Sequence, residues 1–203
     1  MTETFDHLFG GWHKAPARRW RNPDGSQGGI VAVEARVDQT LVIPGDAVVW
    51  PGASIGGRAS IGDGASIGYG ASIGDGASIG DGASIGDGAS IGYGASIGDG
   101  ASIGDGASIG DGASIEAGDW WMSAGPFGAH KRLVTAVFSP KHGLRWWVGC
   151  QNGISTATFQ ERLSKDHAPG DVVDAVGAAY IHFIAFVLTH PDLLAAQAKA
   201  GAQ

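Results

Sequence analysis

The sequence predicts a mainly β fold: a parallel β-helix, or solenoid, followed by a small C-terminal α+β domain. Three observations carry this. The triplet Ala-Ser-Ile recurs eleven times at a strict six-residue period over 53–115. The gaps hold Gly-Asp-Gly or Gly-Tyr-Gly, except for Gly56-Gly57-Arg58 after the first copy. Glycine makes up 36 of 203 residues without a collagen-like three-residue period and without loss of aliphatics, which is the composition of a repeat fold.

Each element of the repeat has a physical reason. Side chains alternate along a strand, so Ala53 and Ile55 point inward and Ser54 points out. Glycines such as Gly62 and Gly64 serve corners, where positive φ is needed, and Asp-Gly is a turn pair. One coil cannot bury its own isoleucine; stacked coils bury a continuous column, and stability becomes a nearest-neighbour sum. The frame extends backward through Val49, Ile43, Val37 and Val31 and forward to Trp121.

This pattern resembles the hexapeptide repeat, read here as Ile-Gly-Asp-Gly-Ala-Ser, over about 90 of the 203 residues. The resemblance implies a left-handed parallel β-helix, a triangular solenoid with three hexapeptides per coil, and a homotrimer. Residues 18 apart then share an edge. One edge carries Asp63, Asp81 and Asp99; a second Asp75, Tyr93 and Asp111; a third Tyr69, Asp87 and Asp105. Each Asp is expected to cap its own turn in water. A cation ladder on Asp63, Asp81 and Asp99 is the sharper alternative, since hard cations take several carboxylate oxygens. Tyr69 and Tyr93 are read as subunit-packing residues.

Many hexapeptide-repeat proteins are acyltransferases with a histidine in or beside the coils. Here no histidine occurs between His13 and His130, and no loop interrupts 53–115. No coil serine has a histidine base within its own coil, so none reads as an activated nucleophile. Near-identical coils also suit a spacer better than a unique site. The weak catalytic candidates are His130, at a subunit interface, and Cys150, a lone cysteine.

The domain reading is an N-terminal arm (1–29), the β-helix (30–119) and an α+β domain (120–203). In the arm, Phe5, Leu8, Phe9 and Trp12 are expected to form a short amphipathic helix. Lys14, Arg18, Arg19 and Arg21 form a basic cluster, able to grip an acidic partner or phosphate, or to fold the arm over the open end of the rod. The last domain is read as three strands, at 120–122, 132–139 and 144–150. Helices are expected at 157–166, capped by Ser155 or Thr156, at 171–190 and at 192–200. Trp146 and Trp147 alternate faces, so one is expected in the core and the other exposed as an interface anchor. About 50 residues of this domain are distantly similar to short segments of phage-encoded proteins.

The net charge of −7 traces to the seven aspartates of the repeats, because the remainder holds 13 acids and 13 bases. This argues against nucleic acid along the rod. The single cysteine allows no internal disulfide. The apolar stretch 172–188 is broken by Asp174 and His182 and is shorter than the ~20 residues of a spanning helix. The expectation is a soluble chain, cytoplasmic or part of a virion, with no cofactor. It would be a trimeric spacer or scaffold, possible as a phage component, presenting its C-terminal domain or N-terminal arm to a protein partner. The alternatives are an acyltransferase-like enzyme and a trimer that sequesters a small ligand.

Overall fold

The computed structural model describes residues 3–127, 132–148, 151–166 and 175–201. The chain divides into two compact units, Met1–Ala117 and Gly118–Gln203.

The first unit is a three-sided parallel β-solenoid of about five turns. Each repeat contributes a two-residue Ser-Ile strand. One face stacks Gln27–Ala32, Val48–Val49, Ser66–Ile67, Ser84–Ile85 and Ser102–Ile103. The second stacks Arg36–Val37, Ser54–Ile55, Ser72–Ile73, Ser90–Ile91 and Ser108–Ile109. The third stacks Ser60–Ile61, Ser78–Ile79, Ser96–Ile97 and Ser114–Ile115. Serine pairs with serine and isoleucine with isoleucine, as in Ser78 beside Ser60 and Ser96.

The repeat isoleucines are at most 5% exposed and form the central column, with Val31, Val37, Ile43 and Val49 continuing it at the N-terminal end. Burying such a side chain contributes about 2 kcal/mol. Forward, the frame stops at Ile115, because Trp121 lies in the antiparallel sheet of the second unit.

The N-terminal segment corrects an expectation. It is no amphipathic helix but a β-hairpin, Thr4–Phe9 against His13–Arg21, with Gly10 and Gly11 at positive φ in the turn. The four-residue spacing of Phe5 and Phe9 fits a helix and also places both on one face of a strand. The two glycines that follow remove the helical option. His13–Arg21 pairs antiparallel with Gln27–Ala32, so the hairpin extends the first face of the solenoid.

The hairpin also closes the first coil. Trp20 is 2% exposed and its indole N–H donates to the Leu41 carbonyl at 3.0 Å. Asn22 Oδ1 accepts the backbone N–H of Ile43 at 2.9 Å. Phe9 is fully buried.

The second unit is an antiparallel four-stranded meander, Trp120–Phe127, Arg132–Ser139, Gly143–Val148 and Gln151–Ile154, with three helices, Thr156–Asp166, Ala175–Leu188 and Pro191–Gly201. The sequence reading had three strands; Gln151–Ile154 is the fourth. With one glycine in four residues, it carries little strand signal of its own and gains its ladder from Gly143–Val148. Ser155 is the helix cap: its Oγ accepts the Thr158 N–H at 3.2 Å. Trp146, Phe159, Phe183, Val187 and Leu193 lie in the core.

Candidate interaction surfaces

The corners of the solenoid are built by two glycines with different tasks. In Gly62-Asp63-Gly64-Ala65 the Ala65 N–H closes onto the Gly62 carbonyl at 3.3 Å. The third residue, Gly64, has φ +67°, the requirement of a type II turn. The first glycine has no such φ. A Cβ on Gly62 would lie 2.5 Å from the Asp81 backbone nitrogen of the next coil. It is glycine because the coils approach too closely for a side chain.

The aspartates join neighbouring coils. Asp81 Oδ1 accepts the Asp63 N–H at 2.8 Å, and Asp99 Oδ1 accepts the Asp81 N–H at 2.9 Å. On the third edge Asp87 takes the Tyr69 N–H at 2.7 Å and Asp105 the Asp87 N–H at 2.8 Å. Asp111 takes the Tyr93 N–H at 2.8 Å. The corner carbonyls are matched in return, as Gly82 N–H to Asp63 O at 2.7 Å. The capping expectation needs correction here: these carboxylates cap the turn of the preceding coil, not their own. The repeat segment is a hexapeptide-repeat β-helix.

In this β-helix the ladder offers little to a cation, since Asp81 and Asp99 each commit an oxygen to a backbone N–H. Among the described residues no group of three or more His, Cys, Asp or Glu side chains is placed to hold a metal. Tyr69 takes the corner position one coil on from Pro51, which has no N–H to cap; the Gly70 N–H donates to the Pro51 carbonyl at 3.0 Å. Tyr69 is 48% exposed and meets His13 edge-on, ring centroids 5.8 Å apart. Rings continue through Trp12 and Trp50 to Phe9. Tyr93, on another edge, is 58% exposed.

The basic cluster lies on the second hairpin strand. Arg18 sits over the Trp20 ring at 5.4 Å. Arg19 Nη1 donates to the Gly45 carbonyl at 3.1 Å. Lys14 pairs with Asp6 at 2.9 Å on the adjacent strand, and this contact raises the lysine pKa. Arg19 and Arg21 line a cavity of about 430 Å³ with Glu3, Phe5, Trp20, Ser26 and Gln27.

In the second unit Trp146 and Trp147 are both buried. Trp146 is fully enclosed and donates from Nε1 to Thr156 Oγ1 at 2.9 Å. Trp147 is only 9% exposed, so the expected exposed partner of the pair is not found. Alternation was read correctly, but it places Trp147 in the row of Thr135, itself buried, on the other sheet face. His130 and Cys150 lie outside the described residues. Among the described residues of this unit the exposed large apolar side chains are Ile181, Phe186, Leu188 and Leu194, on the last two helices.

Among the described residues no single helix is long and apolar enough to cross a membrane; one pair, Ala179–Leu188 and Pro191–Gly201, bent by 47°, matches by length and composition alone.

No protein-family model and no curated protein matches the chain. Solved structures similar to it include a perosamine N-acetyltransferase from Caulobacter crescentus, determined with CoA and GDP-perosamine. It is 22% identical over 49% of this chain, with a TM-score of 0.24. The match spans 52% of that transferase's length. A hexapeptide transferase family protein from Anaplasma phagocytophilum is 19% identical over 49% of this chain and 75% of its own, with a TM-score of 0.23. At these values neither bears on the activity of this chain.

Proposed function

We propose that the chain is a non-catalytic scaffold in which the β-helix is a spacer and the terminal elements make the specific contacts. The observation that supports this most is the use of the corner carboxylates. Five of them bond the backbone of the neighbouring coil. The polar groups that recur along the rod therefore serve coil stacking, and consecutive coils present nearly the same surface. A site for chemistry needs one unequal constellation of groups.

The homotrimer implied by the hexapeptide resemblance belongs to this reading, with the protein partner engaged by the C-terminal domain or the N-terminal hairpin. Calorimetry with acetyl-CoA tests the whole. No saturable heat is expected from the full chain. Saturable binding that disappears in His130→Ala would replace the scaffold with an acyl-transfer enzyme.

A further inference from the structure

We propose that the N-terminal hairpin holds a binding site for a small organic oxyanion, a phosphate or carboxylate carried on an apolar body. The cavity of about 430 Å³ falls in the size range of small-molecule sites. Its lining brings two arginines, Arg19 and Arg21, together with Phe5, Trp20, Ser26, Gln27 and Glu3. Guanidinium pairs oxyanions through parallel N–H donors, and two of them give a fork that a lone lysine cannot.

The local chain is arranged to bring these groups together. Arg19 and Arg21 are alternate residues of one strand, so they share a face. The register between His13–Arg21 and Gln27–Ala32 shifts between Arg19 and Arg21. Such irregularities re-aim side chains in a sheet. Arg19 is held by the Gly45 carbonyl, which fixes its planar head before any ligand arrives. Arg21 has no side-chain partner among the described residues. The turn that follows is rigid, because Asp24 Oδ1 accepts both the N–H and the hydroxyl of Ser26 at 2.8 and 2.7 Å.

Charge favours the same reading. Two arginines against Glu3 leave this cavity net positive, on a chain of net charge −7. Glu3 opposes an anion there and sets the affinity. The scaffold reading neither requires nor supplies this site; a spacer without a ligand would keep the hairpin only as a cap.

The test is calorimetry of the full chain at low salt with two probes, phenyl phosphate and inorganic phosphate. Saturable one-to-one binding of phenyl phosphate is expected, tighter than that of inorganic phosphate. Arg21→Gln should weaken it by about tenfold or more, the scale of a charge-assisted hydrogen bond. Arg36→Gln, an exposed arginine on the second face and not among the lining residues, should leave it unchanged. Glu3→Gln should tighten it by about three- to fivefold, since one nearby like charge is removed. Arg21 is exposed, so its variant should melt with the parent. The proposal is overturned by the absence of saturable binding, by equal affinity for the two probes, or by equal losses in Arg36→Gln and Arg21→Gln.

Discussion

A type II turn asks for positive φ at its third residue, and Arg58 is the one place in the repeats where a side chain meets that demand, at φ 59°. A non-glycine residue there costs about 1–2 kcal/mol, and glycine returns part of that in unfolded-state entropy. Arg58→Gly should therefore stabilise the chain by about 0.5–1 kcal/mol in urea unfolding, and a loss would refute this account. The aspartate ladder makes a second prediction at this scale. Asp81→Ala removes the acceptor of the Asp63 N–H and should cost about 0.5–1 kcal/mol at this exposed corner. Asp81→Asn keeps an acceptor oxygen and removes charge between stacked carboxylates, so it should be at least as stable as the parent. If both variants lost equally, the hydrogen bond would not be the reason for the aspartate.

The elements depend on how closely backbones approach. A Cβ on Gly80 would stand 2.5 Å from the Asp99 nitrogen and 2.7 Å from the Gly98 carbonyl carbon. Gly80→Ala should therefore cost about 1–3 kcal/mol through a forced shift of the coils. At Gly104, after the last strand of the first face, the same Cβ meets nothing within 4 Å. Gly104→Ala should be neutral or slightly stabilising. Comparing the two melting temperatures separates coil contact from glycine flexibility. The irregular first coils carry a pH signal. Asp38 accepts the N–H and hydroxyl of Thr40 at 2.8 and 2.6 Å, which holds its pKa below the ordinary 3.8. A carboxylate whose folded value is lowered stabilises the fold above 3.8, and that contribution disappears as pH falls through the lowered value. Asp38→Asn should flatten the fall of melting temperature below about pH 4; an unchanged acid limb would count against it.

The whole molecule is where the spacer reading is decided. Deleting residues 74–91 removes one 18-residue coil and joins Ile73 to Gly92 in frame. The product should unfold cooperatively, keep its number of subunits and shorten the β-helix by about 4.8 Å. A six-residue deletion should be worse, because it rotates all downstream edges by a third of a turn and changes which coil each tyrosine meets. If the 18-residue deletion fails to fold, the coils are not interchangeable. Light scattering should give three times the 20.6 kDa chain mass; a monomer removes the trimer from the reading.

The sequence by itself determined the six-residue repeat and the inward isoleucine and alanine, each a local pattern copied eleven times. The three edges and the neighbour 18 places on came from the resemblance to the hexapeptide repeat. Tertiary structure decided what the pattern leaves open. Phe5 and Phe9 fit a helix and a strand equally, and pairing with 13–21 chose the strand. Alternation predicts one exposed ring of the pair Trp146 and Trp147, yet both are buried, because burial depends on what covers a sheet face rather than on which face a residue takes. The two corner glycines look alike in sequence; one answers to φ and the other to the next coil. The aspartates looked like caps of their own turns, and only the stacking of coils brought each carboxylate to the backbone N–H of the coil before it.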